Sequence, residues 1–125
     1  MNSLSSTPNR YPYRNEPIWS RPEKAVARKV FDAALKRELQ EVMQEAKRKA
    51  NQMMEPGDLW ALERYLTRRR NSIDRKYDFR LSRLARMLGR LLCERRISEA
   101  ELRGLGEDKM KVIRACAEVL SEDAA

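Results

Sequence analysis

The sequence predicts an all-α fold of four to five helices, in which an elongated helical protomer forms a homodimer. Apolar residues recur every three or four positions along most of the chain, as they do on one face of a helix. Charged residues make up 37% of the sequence and aromatic residues 6%, a composition typical of helices with wide solvated faces. Because such thin apolar stripes cover long helices poorly, a second copy of the chain is expected to complete the core.

Length and composition also restrict the class of protein. A chain of 125 residues forms one domain. The absence of histidine removes the commonest general base and the commonest transition-metal ligand. The cysteines, Cys93 and Cys116, lie on apolar helical stripes and are expected to be buried thiols rather than a disulfide. No apolar run is long enough to span a membrane and no signal-peptide core is present, so a cytoplasmic protein is expected.

Three regions are predicted along the chain. Residues 1–19 hold three of the five prolines and are expected to form a flexible N-terminal tail. Residues 20–121 are expected to form a single all-helical dimerisation and regulatory domain, followed by a frayed C-terminus at residues 122–125. An alternative for the tail is that its aromatic residues dock on the body: Tyr11, Tyr13 and Trp19.

The first helix has clear start and stop signals. Ser20 and Glu23 form a capping box, in which each side chain can bond the other residue's backbone N–H. Apolar residues then follow with a period near 3.6, which predicts a long amphipathic helix ending before Pro56. The members of this stripe are Phe31, Leu35, Leu39, Val42, Ala46, Ala50 and Met53.

A second apolar stripe begins after the Pro56–Gly57 turn, where Asp58 is expected to cap the next helix. Charge interrupts this stripe at Arg69 and Arg70. Three explanations are open: a kink, a break near Asn71–Ser72, or a functional arginine that faces a partner. Its members are Leu59, Leu62, Leu66, Ile73, Tyr77, Leu81, Leu84, Leu88 and Leu91.

The C-terminal part carries signals for two further helices. Ser98 and Glu101 form a second capping box, which predicts a short helix that stops at Gly104. Acidic residues at Glu107 and Asp108 suit the start of a final helix.

Positive charge is concentrated in the second stripe. The segment from Trp60 to Arg96 contains 12 Lys/Arg and 4 Asp/Glu, which equals the net charge of +8 of the whole chain. Such a surface fits an acidic partner, either a nucleic acid backbone or an acidic protein face. The alternative is a solvated helix surface without a partner.

The sequence does not resemble an enzyme. It contains no phosphate-binding Gly-rich loop, no nucleophile with a nearby base and no cluster of metal ligands, so neither a cofactor nor a metal is expected. Asp74 and Asp78 are four residues apart, but ion pairing on a helix surface explains them better than acid–base catalysis.

Trp60 has two interpretations that the sequence leaves open. It can be a structural tryptophan in the core, or an interface anchor near the end of a basic helix, because tryptophan buries a large area at low entropic cost.

Several segments resemble the fluorescence recovery protein family. They are Asp58-Leu59-Trp60-x-Leu62, then Leu66 and Arg70, then Ile73-Asp74-x-Lys76-Tyr77-Asp78-Phe79-Arg80-x-Ser82, and finally Glu101-Leu102-x-Gly104-Leu105-Gly106-Glu107-Asp108-Lys109-Met110. Their order and spacing match the family, and a looser likeness in the first helix extends the resemblance to residues 22–120.

The resemblance implies a non-enzymatic homodimer that binds the C-terminal domain of the photoactivated orange carotenoid protein. Binding would accelerate return to the resting state and relieve photoprotective quenching. The residues implied for the dimer interface and the partner site are Leu59, Trp60, Leu62, Glu63, Arg64, Arg70, Asp74, Lys76, Tyr77 and Lys109. Two alternatives stay open: a basic helical dimer that binds nucleic acid, and a dimer of this type with a different protein client.

Overall fold

The computed structural model describes residues 18–124. Four α-helices follow one another, with one 3-10 turn before the last, and no strand occurs in this part of the chain. The prediction of an all-α fold with four to five helices is therefore confirmed. The elements are α1 (Arg21–Asn51), α2 (Gly57–Lys76), α3 (Leu81–Cys93), the 3-10 turn (Glu99–Leu102) and α4 (Glu107–Ala124).

Helix α1 begins as its capping box predicts. The Ser20 hydroxyl accepts the Glu23 N–H at 3.2 Å, and the Glu23 carboxylate accepts the Ser20 N–H at 2.9 Å. The helix ends at Asn51, before Pro56, as predicted. Its 31 residues make it about 46 Å long, so one end can pack in a core while the other extends away from it.

The cap predicted for α2 is wrong in its detail. The helix begins at Gly57, one residue before Asp58. The Asp58 carboxylate therefore reaches back and accepts the N–H groups of Met54 at 2.9 Å and Glu55 at 3.1 Å. It fastens the turn between α1 and α2 instead of capping the helix in front of it.

Charge within the second stripe does not break the helix. Helix α2 runs without interruption through Asn71 and Ser72, and the chain leaves the helix only at Tyr77. The guanidinium of Arg69 lies 2.9 Å from Glu38 and 3.4 Å from Glu41, both on α1. An ion pair with the neighbouring helix thus accounts for a charge at a seam position.

A core forms at one end of the molecule, which we call the head. The head consists of residues 19–34 and of residues 81–124, which contain α3, the 3-10 turn, α4 and the segments that join them. Its buried apolar residues are Trp19, Ala27, Val30, Phe31, Ala34, Leu84, Met87, Leu88, Leu91, Ile97, Leu102, Met110 and Ile113. Helices α3 and α4 approach closely at Gly89, where an added Cβ would lie 2.6 Å from the Cβ of Cys116 and 2.8 Å from the carbonyl oxygen of Ile113.

The second capping box is present but starts only one turn of 3-10 helix. The Glu101 carboxylate accepts the Ser98 N–H at 3.0 Å. It also receives two hydrogen bonds from Arg37, at 3.1 and 2.6 Å, which tie the turn to α1. The chain then turns at Gly104, whose φ of +108° favours glycine.

Trp19 is the last residue of the predicted tail. It is buried in the head, which agrees with the alternative that this residue docks on the body. The expectation for residues 1–17, including Tyr11 and Tyr13, lies outside the described residues. Helix α4 continues to Ala124, beyond the expected fraying point at 121. Cys93 and Cys116 are free thiols and partly buried. No helix within residues 18–124 is long and apolar enough to cross a membrane.

The remaining part of α1, residues 35–51, pairs with α2 to form what we call the arm. The two helices are antiparallel, because Lys76 at the end of α2 contacts Glu38 while the Lys49 ammonium lies 5.0 Å from the ring centre of Tyr65. Among the apolar residues of the arm, only Ile73 is buried. The arm therefore keeps its apolar stripes largely exposed.

Candidate functional site

An open groove runs along the arm between α1 and α2, with a volume of about 970 Å³. We call it the arm groove. Both apolar stripes predicted from the sequence supply its lining. The lining residues are Phe31, Leu35, Leu39, Val42, Leu59, Leu62, Glu63, Leu66, Thr67, Arg69, Arg70, Ile73, Asp74 and Tyr77.

The apolar residues of the arm groove are unusually exposed. The exposed fraction is 45% for Leu39, 54% for Leu59 and 39% for Leu66, and Met43 beside them on α1 is exposed as well. An exposed apolar patch of this kind marks an interaction surface or a ligand groove. The patch follows α2 for about 30 Å. A surface of this length is suited to binding another protein.

Polar residues of α2 border the apolar surface. Glu63 accepts a hydrogen bond from the Thr67 hydroxyl at 3.1 Å. Arg70 and Asp74 are one helical turn apart, exposed, and line the groove. Within residues 18–124 neither makes an ion pair shorter than 4.0 Å, although eighteen such pairs occur there. The guanidinium of Arg70 is therefore available to a partner that enters the groove.

A cluster of charged residues closes the arm groove where the arm meets the head. We call it the ion cluster: Glu38, Glu41, Arg69, Lys76, Tyr77, Glu94 and Arg96. Glu38 is at its centre, with Lys76 Nζ at 2.8 Å, Arg69 Nη2 at 2.9 Å and Arg96 Nε at 3.2 Å from its oxygens. The Tyr77 hydroxyl donates a hydrogen bond of 2.8 Å to the same carboxylate. Residues from α1, α2 and the end of α3 are thereby joined.

The electrostatics of the ion cluster favour its charged forms. Burial raises the pKa of Glu94, but hydrogen bonds from Lys76, Arg90 and Arg96 outweigh it and hold that pKa at about 2. Burial, followed by the hydrogen bond to Glu38, raises the pKa of the Tyr77 phenol above its ordinary value. Tyr77 therefore stays a neutral donor to Glu38 at physiological pH.

Six of the ten residues predicted for the site line the arm groove: Leu59, Leu62, Glu63, Arg70, Asp74 and Tyr77. Lys76 lies at the base of the groove in the ion cluster, and 3% of its side chain is exposed. It is therefore a structural residue that positions Tyr77 and α2. The ring of Tyr77 packs edge-on against Phe31, with centroids 5.4 Å apart.

Trp60 and Arg64 do not line the arm groove. They lie on the outward side of α2, where Trp60 is 62% exposed. The interpretation of Trp60 as a core residue of the protomer is therefore wrong, because most of its side chain is exposed. Its role as an interface anchor remains a prediction.

Lys109 lies in the head and apart from the arm groove. Its ammonium is 2.9 Å from the Glu23 carboxylate, whose other oxygen accepts the Gly106 N–H at 2.7 Å. The backbone hydrogen bond from Ser20, with those from Lys109 and Gly106, lowers the pKa of Glu23 to about 2 against the effect of burial. Lys109 thus fastens the start of α4 to the capping box of α1.

Sequence reasoning missed the contribution of α1 to the site. Leu35, Leu39 and Val42 form the wall opposite α2, and their regular spacing was a usable signal. Glu38 was missed because its importance depends on partners 31 to 58 residues away. An acidic residue beside an apolar stripe was its only local sign.

The carboxylate pair considered for catalysis does not form. Helix α2 ends at Lys76, so Asp78 lies outside the helix and does not share a face with Asp74. Asp78 instead bonds the side chain and backbone of Arg80, which lowers its pKa to about 2. In the described part of the chain, no group of three or more His, Cys, Asp or Glu residues could hold a metal ion.

The helical head, the exposed arm groove and the ion cluster between them define a class of small all-α proteins. Residues 19–117 match the family model described as "Photoprotection regulator fluorescence recovery protein". This chain belongs to the fluorescence recovery protein family, a family of photoprotection regulators.

Individual relatives agree with this membership. The chain is 35% identical to the fluorescence recovery protein of Synechocystis sp. over 102 residues. This alignment covers 82% of this chain and 94% of the relative. The solved structure of that Synechocystis protein matches with a TM-score of 0.77 and covers 81% of this chain and 99% of its own. The solved fluorescence recovery protein of Fremyella diplosiphon is 33% identical and has the same TM-score and coverage.

Proposed function

We propose that this protein is a non-enzymatic homodimeric regulator that binds the C-terminal domain of a photoactivated orange carotenoid protein, or of a related carotenoid-domain protein. Binding accelerates the return of that partner to its resting state and so relieves photoprotective quenching. The observation that carries the proposal is the arm groove: two apolar helix faces, from a chain of this family, stand exposed beside Arg70, which has no ion pair within residues 18–124.

The dimer is supported by the difference between the head and the arm. The head buries thirteen apolar residues in one cluster, whereas Leu39, Leu59 and Leu66 of the arm stay exposed. Burial of apolar surface stabilises by about 25 cal/mol per Å². A second arm laid in the groove would cover the exposed side chains of Leu39, Leu59 and Leu66. Two identical copies can cover each other through a self-complementary interface.

The proposed action on the client needs no chemistry. A protein that binds the compact resting form, or the barrier leading to it, more tightly than the activated form shifts the equilibrium or its rate. Arg70 offers a charged donor at the edge of the apolar surface, and Asp74 offers an acceptor one turn away. Such a pair can fix the orientation of a partner whose apolar surface occupies the groove.

The test follows the recovery of the client. The illuminated red form of an orange carotenoid protein is placed in darkness, and the return of its orange absorption spectrum is timed with and without this protein. Acceleration that increases with concentration and saturates is the expected result. Recovery that stays unchanged over a broad concentration range, with a folded sample, would dismiss this client and leave a different protein client for the same fold.

A matched pair of variants locates the surface that acts. Arg70→Gln is expected to lower the acceleration at least tenfold, because a bidentate donor at the groove is lost. Arg68→Gln removes the same charge from the outward side of α2, and this variant is expected to accelerate recovery as the wild type does. Equal losses in both variants would show that net charge, and not the arm groove, drives the interaction.

A further inference from the structure

Three arginines line the side of α2 that faces away from the arm groove. We call Arg64, Arg68 and Arg75 the outer stripe; all three are exposed. At about 100° per residue they lie within about 40° of one another around the helix, and they extend over about 16 Å of its axis. Leu62 and Leu66 face the groove on the opposite side.

The outer stripe has no ion-pair partner within residues 18–124. Some other arginines form ion pairs, including Arg37 with Glu101 and Arg90 with Glu94, while others such as Arg70 do not. None of the three outer-stripe arginines has a carboxylate within 4.0 Å among residues 18–124. Of the acids of α2, Asp58 bonds the turn before the helix, and Glu63 and Asp74 line the groove on the other side, where Asp74 makes no ion pair within residues 18–124. The stripe therefore presents charge of one sign.

On the surface of α2, the residues that flank the outer stripe are mostly small or polar. Asn71 and Ser72 lie beside it. The apolar residues on this side are Ala61 and, at the N-terminal end of the stripe, Trp60. A protein partner usually requires an apolar centre in the interface. Phosphate oxygens are instead contacted by arginine together with asparagine and serine side chains. The composition of this surface thus favours a nucleic acid backbone over an acidic protein.

We propose that the outer stripe binds the phosphate backbone of nucleic acid without sequence preference. Duplex DNA carries one charge per about 1.7 Å of axis, so a stripe about 16 Å long faces several phosphates in any register. The chain has a net charge of +8, which attracts a polyanion from a distance. This activity goes beyond the proposed function and needs no carotenoid-protein partner; Arg64 is the one stripe residue that is also among those predicted for the dimer and client sites.

The test measures binding of the full chain to a labelled duplex of about 20 base pairs by fluorescence anisotropy, between about 50 and 200 mM salt. The triple variant R64Q/R68Q/R75Q is compared with K24Q/K29Q/K36Q, which removes three exposed charges from α1 that also lack ion pairs in the described residues. Circular dichroism checks that both variants stay folded.

The expected result is specific to the outer stripe. R64Q/R68Q/R75Q should weaken binding at least about tenfold at the lowest salt and reduce the slope of log K against log salt by about 2 to 3, since each lost phosphate contact contributes roughly 0.9. The α1 variant should keep most of the affinity.

No saturable binding at low salt, or equal losses in both variants, would overturn the proposal. Competition by poly-glutamate as strong as that by DNA would overturn it in favour of an acidic protein partner. No carotenoid protein is present, so the result is independent of the recovery assay.

Discussion

The ammonium of Lys76 lies 2.8 Å from a carboxylate oxygen of Glu38, and only 3% of either side chain is exposed. This pair joins the middle of α1 to the last residue of α2, where the arm meets the head. Removing two charges from water costs several kcal/mol, and their attraction offsets that cost only when further hydrogen bonds complete the site. Tyr77, Arg69 and Arg96 supply those bonds to Glu38. The pair therefore fixes the orientation of the arm on the head.

Glu38→Gln is expected to destabilise the protein by about 3 kcal/mol, because it leaves buried cations facing a neutral amide. The free energy of unfolding in urea measures the effect. Glu45→Gln is the matched control: Glu45 pairs with Arg48 and Lys49 on the surface of α1, and its loss should leave the free energy of unfolding close to that of the wild type. Equal effects of the two substitutions would contradict the central role of Glu38.

Local signals allowed much of the fold to be predicted. Both capping boxes join residues only three positions apart, at Ser20–Glu23 and Ser98–Glu101, so their chemistry is visible within one helical turn. Helix periodicity is equally local, and it predicted the two apolar stripes that line the arm groove, although not that α1 contributes to the site. The position of Asp58 was missed by one residue, because a carboxylate in the first turn can bond backward as well as forward.

Long-range partners explain what the sequence could not reveal. Arg69 interrupts the apolar stripe of α2 because Glu38 lies 31 residues earlier in the chain and beside it in space. Lys76 is 38 residues from Glu38 in the chain. From the sequence alone it therefore resembles any surface lysine of a basic helix, and its burial cannot be predicted. Which side of α2 Trp60 occupies depends on where α1 packs, and that depends on the whole arm.

Close packing of α3 on α4 makes Gly89 sensitive to the smallest substitution. Gly89→Ala would place a methyl group 2.6 Å from the Cβ of Cys116 and 2.8 Å from the carbonyl oxygen of Ile113. The helices would have to separate, so a loss of about 1 to 3 kcal/mol is expected in thermal or urea unfolding. Gly57→Ala, with no atom within 4 Å of the new Cβ, is expected to leave stability unchanged or raise it by up to about 1 kcal/mol. A destabilising Gly57→Ala with a neutral Gly89→Ala would refute the close approach.

Glu23 is expected to make stability depend on pH in the acid range. Its folded pKa of about 2 lies below the ordinary value of 4.5, so its contribution is present above pH 4.5 and is lost as the pH falls towards 2. Glu23→Gln keeps a capping side chain but loses the charge. The stability difference between wild type and variant should therefore be largest above pH 4.5 and shrink below it, as measured by urea unfolding at several pH values. A constant stability difference between wild type and Glu23→Gln over this pH range would exclude the mechanism.

Substitutions on the two sides of α2 test whether the arm groove joins two copies of the chain. Leu66 lines the groove, whereas Ala61 is exposed and lies outside it. Leu66→Glu would bury a carboxylate within an apolar interface and is expected to weaken the dimer by about 3 kcal/mol or more, over a hundredfold in the dissociation constant. Ala61→Glu adds the same charge on the outer side and should leave the dissociation constant within a few-fold of wild type. Light scattering across the micromolar concentration range measures the dissociation constants of both variants. A wild-type chain that stays monomeric in this range would contradict the proposal that a second copy covers the arm groove.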